Sequence, residues 1–402
     1  MAQQAPAQAP AVAPAGQAGA AAPKPAAPNT IVTVGYAELS PDADPRWDPT
    51  YARYEVPVRP WGSSYGGAVM AVNDNAPTAK FTHIDYELNR ATADSVDELI
   101  TAVKGMVQGG VHFVVVDLPA AGLLKLSDAV ASLPVTLLNI SAHEDALRGA
   151  DCRYNIVHIA PSYRMLTDGI VQFMVLRRWK NILVLQGPDP RDKVIVDALK
   201  VSASQFGARI VDVRPFVYGT NPTNRETNNV ALITGGVSSD VVYIADSDGE
   251  FARNAQYNTS EPRPVIGSAG LIATAYWWGA EDQDARQINQ RFFDIAKRKI
   301  EDVDWGAWTA VRTIAASVLR AKSTDYQTVL DFMLSDKLTV DGAKKNPMSV
   351  RPWDHQMRQS ILLASGNAVL WEAPVAGFLH ATNNLDTLGV DQPNTTCKFA
   401  RK

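Results

Sequence analysis

From residue 31 onward, short runs of consecutive apolar residues alternate with longer stretches whose apolar positions return every three or four residues. Residues 31–34, 111–116, 135–140 and 156–159 are of the first kind, and the mixed run 82–88 also reads as a strand. Unbroken apolar runs of strand length fit parallel strands covered on both faces. Residues 64–73, 95–108 and 123–132 are of the second kind and predict helices. In 95–108 the stripe is Val96, Leu99, Ile100, Val103 and Val107, with Asp94 or Ser95 placed to cap it and Gly109-Gly110 to end it.

A second cycle starts at Ser162. It predicts a helix over 165–178, a strand over 182–185, a helix over 192–206, and strands over 210–213, 241–245 and 265–266. Two α/β cycles predict two lobes with parallel sheets flanked by helices. Three helices then follow in a row, 284–299, 306–321 and 326–334, and two strands, 357–364 and 368–371, precede a polar tail. Trp305 and Trp308 read as core residues of the middle helix, and Trp179 as packing at a helix end. The expected division is lobe one from 31–158 with 272–345, and lobe two from 159–271 with 346–402. Several crossings between lobes imply a hinge and a cleft, and ligands of open α/β sheets sit beyond the carboxyl ends of the strands.

Composition adjusts this picture at the edges. Residues 1–30 are almost wholly Ala, Pro, Gln and Gly, too poor in core-forming side chains to order themselves, and predict a loose tether. They fit either an exported protein whose signal has been cut away and replaced by Met1 or a cytosolic protein with a loose tail. A net charge of −4 with no basic cluster gives no footprint for nucleic acid. The longest apolar runs are strand-sized, far short of the roughly 18–20 residues that span a bilayer. Cys152 and Cys397 lack the CxxC spacing of redox or zinc motifs; one disulfide and two separate thiols both remain open.

Few motifs carry chemistry. Gly62-Ser63-Ser64-Tyr65-Gly66 matches the G-x-S-x-G pattern of a nucleophile elbow, but Pro57 and Pro60 just before it forbid the central strand an elbow needs. A capped helix start able to meet an anion fits better. No phosphate-binding glycine loop is present, and the six histidines show no metal-ligand spacing. The strand ends supply the remaining candidates: Asp117-Leu118-Pro119, Ser141-Ala142-His143, 186–191 ending in Arg191, and Asp246-Ser247-Asp248. Tyr276-Trp277-Trp278 follows the small-residue run from Gly267 through Ser268 to Gly270. Adjacent side chains cannot share one face of a helix or strand, so one of these rings must leave the core.

Four local patterns in order, together with the element order over 31–372, resemble the type I periplasmic substrate-binding proteins of branched-chain amino-acid ABC transporters. They are Trp179-Lys-Asn-Ile-Leu-Val-Leu185 running into 186–192, Leu138-Asn-Ile-Ser-Ala-His-Glu-Asp-Ala-Leu147, Gly207-Ala-Arg-Ile-Val-Asp212, and the Trp308–Ala321 helix pattern. Amino-acid binders in this family hold the α-carboxylate with hydroxyls and N–H groups of the lobe-one turns. Here the first turn, 117–122, has no hydroxyl and the second keeps only Ser141. The first loop, 40–61, is long and carries Arg46, Trp47, Arg59 and Trp61.

These departures, with Asp44-Pro-Arg-Trp-Asp48, resemble the subgroup found beside pyrroloquinoline-quinone-dependent alcohol dehydrogenases. The resemblance implies a monomeric periplasmic binding protein without catalytic activity, serving an inner-membrane permease. The implied ligand is flat and anionic, foremost pyrroloquinoline quinone itself, bound as cargo and not as a catalytic cofactor, with no protein metal site. The expected contacts are Tyr276, Trp277, Trp278, Arg59, Trp61, Ser63, Ser64, Tyr65, Asp117, Ser141, Ala142, His143, Arg191, Asp246 and Ser268. The alternatives are an aromatic alcohol or acid catabolite as ligand, a sensor lobe signalling to a partner, and a serine hydrolase using Ser64.

Overall fold

The structure is a computed structural model that describes residues 29–217 and 225–399. All but the last two residues of the expected 1–30 tether lie outside the described residues. The first half of the chain forms β1 (Thr30–Leu39), α1 (Pro49–Arg53), α2 (Tyr65–Asn75), α3 (Ala79–Thr82), β2 (Ile84–Ala93), α4 (Val96–Gln108), β3 (Phe113–Asp117), α5 (Ala120–Val130), β4 (Thr136–Asn139) and β5 (Ile156–His158). Their sheet is parallel throughout, in the order β2-β1-β3-β4-β5. The unbroken apolar run in β3 has the reason expected of it. Val115 packs into one hydrophobic cluster and Val114 and Val116 into another, on opposite faces of the sheet. Ser95 caps α4, accepting from the Glu98 N–H at 3.3 Å.

The second lobe contains α6 (Tyr163–Leu176), β6 (Asn181–Gln186), α7 (Pro190–Phe206), β7 (Arg209–Pro215), α8 (Arg225–Asn228), α9 (Val230–Thr234), β8 (Val241–Ala245), α10 (Glu250–Ala255) and β9 (Val265–Gly267). Its sheet, β7-β6-β8-β9, is also parallel. The Asp189-Pro190-Arg191-Asp192 stretch starts α7 with a capping box and Pro in the first turn, and Gly207 ends it at φ 77°.

The remainder is β10 (Ile272–Thr274), α11 (Gln283–Ala296), α12 (Asp302–Ala321), α13 (Tyr326–Met333), β11 (Ser349–Val350), β12 (Met357–Arg358), β13 (Ile361–Ser365) and β14 (Ala368–Ala373). The three consecutive helices form as the periodicity predicts. Helix α12 packs on α2 so closely that a Cβ on Gly67 would lie 2.0 Å from the Asp304 carbonyl oxygen, so only glycine fits there. Trp305 is fully buried in the lobe-one core, and Trp308, equally enclosed, donates its Nε1–H to Asp74 at 2.8 Å. Trp179 packs edge-on against Phe173 at the end of α6.

One reading needs correction. The run 357–364 is two strands, β12 and β13, because the chain is diverted at Gln359 and Ser360 to tie other backbone. Gln359 donates to the Ile159 carbonyl at 2.6 Å, and Lys344 donates to the Ser360 carbonyl at 2.9 Å. The antiparallel sheet β10-β13-β14 has one strand, β10, that the hydrophobic pattern does not predict. Of the two possibilities for the cysteines, the structure has the disulfide: Cys152 and Cys397 are bonded. That bond fastens the end of the chain to the segment before β5, where Phe399 also packs on Tyr154 and His355.

Candidate functional site

Both parallel sheets reverse their strand order once, between β3 and β2 around β1 in lobe one and between β7 and β8 around β6 in lobe two. Loops leaving neighbouring strands at such a point run in opposite directions and open a crevice. The two crevices face one cavity of about 520 Å³. Lobe one lines it from the loop after β1 (Arg46, Arg59, Trp61), the turn after β3 (Pro119) and the turn after β4 (Ser141 to Glu144). Lobe two lines it from the loop after β6 (Asp189), the first turn of α7 (Arg191), the loop after β8 (Ser247, Asp248) and the start of α6 (Tyr163, Leu166). The 272–277 crossing and the start of α12 close the remaining side.

Charge in the cleft is organised as pairs. Arg46 meets Asp44 at 2.6 Å and Asp117 at 2.8 Å. Burial works against the Asp117 carboxylate, yet Arg46 and the Ser64 hydroxyl outweigh it and hold its pKa below the ordinary value. Arg191 meets Asp189 at 2.9 Å, the hydrogen bond holding that carboxyl below its usual range. Arg59 pairs with Asp248 of the opposite lobe, lies over the Tyr51 ring at 4.9 Å, and leaves its buried Nε without a hydrogen-bond partner.

The turn after β4 is held from behind. Arg148 is buried and donates to the Ala142 carbonyl at 2.8 Å, the Ala160 carbonyl at 2.7 Å and Gln356 Oε1 at 2.8 Å; burial lowers its pKa to about 10. His143 sets its Nδ1 2.7 Å from the Pro161 carbonyl and its ring 5.5 Å from that of Tyr163. A carbonyl only accepts, so Nδ1 carries a proton and donates it to Pro161.

The three adjacent aromatics separate by role. Tyr276 is the core ring: it is fully buried, stacked at 5° to Trp305, and its hydroxyl donates to Asn289 Oδ1 at 3.0 Å. Trp277 is the wall ring. It stands edge-to-face with Trp61 at 6.3 Å, and its Nε1–H donates to the Gly366 carbonyl at 3.0 Å. Trp278 turns away from the cleft and lies under Lys299 Nζ at 4.0 Å. Trp61 and Trp277 also bound a second, smaller cavity of about 380 Å³ on their far side, which Trp278, Ser268 and Arg253 line.

Of the residues expected to contact a ligand, Arg59, Trp61, Ser141, Ala142, His143, Arg191 and Trp277 are brought together around the main cavity, while Tyr276 stands behind its wall as a fully buried core ring. Others are spent on structure. Ser63 donates to Glu38 at 2.7 Å, and Tyr65 packs on Tyr36 beneath Arg90. Ser64 is fully buried between Tyr36 (2.5 Å) and Asp117 (2.6 Å). A nucleophile needs access to its substrate and Ser64 has none, which removes the residue on which the hydrolase alternative rests. Asp117 is consumed by Arg46 and Ser64. Asp246 accepts from the Ala252 N–H at 2.9 Å, and its own N–H donates to Ser268 Oγ at 2.9 Å, so both build the turn into α10. Glu144 and Tyr163 line the cavity without having been singled out. Tyr163 could have been found as the residue after the Ser162 helix cap, at a start that faces the sheet ends.

No protein-family model matches the chain, and no curated protein matches it in sequence. Solved structures do match in shape. A periplasmic binding protein from Burkholderia mallei has a TM-score of 0.65 at 16% identity, over 92% of this chain and 99% of that one. The leucine-, isoleucine-, valine-, threonine- and alanine-binding protein from Brucella ovis, in its closed conformation, reaches 0.69 at 12% identity over 92% and 99%. An ABC transporter solute-binding protein from R. palustris in complex with benzoate reaches 0.62 at 12% identity, again over 92% and 99%. The chain therefore has the two-lobed fold of type I periplasmic binding proteins. At such identities the likeness speaks to fold alone.

Proposed function

We propose that this chain is a periplasmic solute-binding protein that closes on one small, flat aromatic carboxylate and presents it to the permease of an ABC transporter. The observation that carries the reading is the cavity itself. It lies where the switch points of two parallel sheets face each other, it draws residues from both lobes, and its wall is aromatic while its cations sit on the loop after β1 and the first turn of α7. The similar structures include a leucine-, isoleucine-, valine-, threonine- and alanine-binding protein in one case and a solute-binding protein in complex with benzoate in another. No covalent chemistry is asked of the residues around the cavity, and hinge closure is the working motion.

Pyrroloquinoline quinone is the specific ligand we put forward, on the strength of the Trp61–Trp277 wall with Arg59 and Arg191 beside it. A second reading, a simple aromatic acid, is favoured by one observation: Arg46, Arg59 and Arg191 each already hold an aspartate. A tricarboxylate would have to compete with several of these pairs, whereas a monocarboxylate need open only one. Titrate the protein with the quinone, with benzoate and with leucine, following tryptophan emission and heat. Saturation by the quinone at micromolar concentration supports the specific ligand, saturation by benzoate alone moves the assignment to the second reading, and leucine alone or no response overturns the aromatic reading.

A further inference from the structure

Behind the Trp61–Trp277 wall lies the second cavity, of about 380 Å³, to which a solute in the main cavity gives no role. The wall between the two is pinned. Trp61 donates its Nε1–H to the Val56 carbonyl at 3.0 Å and its backbone N–H to Glu301 Oε2 at 2.7 Å, and Trp277 is fixed by the Gly366 carbonyl. The cavities are therefore separate compartments, since joining them would break these bonds. Tyr54 and Trp278 add two rings to the smaller one, so four aromatic side chains line a space large enough for a single-ring ligand.

Its charges are arranged unlike those of the main cavity. There Arg46 and Arg191 hydrogen-bond to their aspartates at 2.6 to 2.9 Å. Here Arg253 has its nearest carboxylate, Glu250, at 3.7 Å, beyond hydrogen-bond distance, and its guanidinium makes no hydrogen bond among the described residues. The Tyr54 ring, 5.5 Å away, steadies that guanidinium without using its N–H donors. Ser268 accepts from the Asp246 N–H, which leaves its own hydroxyl proton without a partner among the described residues. Glu55 is the one carboxylate among the lining residues, and Lys299 takes it up at 2.7 Å. The lining thus offers rings and unspent donors, and no unpaired anion.

We propose that this compartment is a second ligand site, for a small aromatic carboxylate whose ring packs among Trp61, Trp277 and Trp278 and whose charge is taken by Arg253. A single ring with one carboxylate uses both features. An aliphatic acid would leave the rings unused, and a neutral ring would leave Arg253 without its anion. Tyr54 and Trp61 belong to lobe one, Arg253 and Ser268 to lobe two. An occupant is therefore fully held only when the lobes are closed, as is a solute in the main cavity. Two ligands that favour the same closed form bind with positive coupling. Tyr54, at the mouth, is 61% exposed, so the smaller site exchanges with solvent and gives up its occupant on purification, while the main cavity keeps its own.

The test is equilibrium dialysis of the full chain against labelled benzoate, counting molecules bound per chain, on the wild type, Arg253→Gln and Arg253→Lys. Arg253 lies outside the main cavity, and melting curves establish that each variant folds. Two molecules per wild-type chain are expected at saturation. Arg253→Gln should weaken the looser of the two about tenfold to hundredfold, the worth of a hydrogen bond to a charged group, and Arg253→Lys should recover part of that loss. The tighter one should change at most about fivefold, through lost coupling. Cyclohexanecarboxylate carries the charge without the aromatic ring and benzyl alcohol the ring without the charge, and both should compete less well than benzoate at the looser site. One molecule or two per chain, with every affinity untouched by Arg253→Gln, overturns the inference and leaves the solute-binding reading standing. A single molecule that is lost in Arg253→Gln supports the second site and removes benzoate from the main cavity. No benzoate bound by the folded wild type overturns the inference, while the quinone titration still decides the main cavity.

Discussion

At the scale of single residues, Tyr276, Trp277 and Trp278 illustrate what a sequence can and cannot disclose. That one ring must leave the core follows from chain geometry alone. Which one leaves depends on Trp305 lying parallel to Tyr276 and on the Gly366 carbonyl receiving the Trp277 N–H, contacts made by residues tens of positions away. Trp277→Phe should weaken binding of a flat ligand about threefold to tenfold, since it removes that hydrogen bond and part of the wall. Trp278→Phe should leave affinity unchanged. Equilibrium fluorescence titration of the two variants checks this, and the opposite ranking would show that the wall has been misassigned. The same limit explains Asp117 and Ser64. Their strand-end and helix-start positions were legible, but the arrival of Arg46, which consumes Asp117 and with it Ser64, was not.

At the scale of elements, those with local punctuation were the legible ones. Helix α4 with Ser95, α7 with its Asp-Pro start and Gly207 end, and the unbroken apolar strands β3, β6 and β8 appear close to where pattern and caps place them. Strand β10 is three residues long and held by β13 from ninety residues later, so no local signal marks it. The long loop after β1 is the most consequential element of this kind. It reaches lobe two: Val56 and Val58 press on Gly249, Arg253 lies over the Tyr54 ring at 5.5 Å, and Arg59 pairs with Asp248. These contacts hold the lobes together across the cavity. Asp248→Asn removes the cross-lobe ion pair while leaving Arg59 in place. Such pairs contribute roughly 0.5–1 kcal/mol, so the unliganded variant should populate an open form several times more and scatter X-rays with a larger radius of gyration. An unchanged radius would mean that the apolar contacts alone keep the lobes closed.

At the scale of the whole molecule, two parallel sheets, two switch points and one shared cavity form a frame that the order of elements makes readable even where identity to similar structures falls to 12%. The ligand is less readable because it depends on how charges cancel within the frame. Three cleft arginines suggest an anion site, and only their aspartate partners reveal how little free positive charge remains. The frame is fastened at its end by Cys152–Cys397, which closes a loop of 245 residues. Cys397→Ser should lower unfolding stability by about 2–4 kcal/mol, mainly by freeing the unfolded chain; urea denaturation with and without a reductant measures it, and coincident curves would contradict it.

The central claim, one small aromatic acid held between the lobes, is tested most directly by a native mass spectrum of the chain purified from the cell that makes it. The account predicts a single retained small molecule per chain, released on denaturation and identified as an aromatic carboxylate. A chain that carries nothing and forms no one-to-one complex when the quinone, benzoate or 3,4-dihydroxybenzoate is added would contradict it.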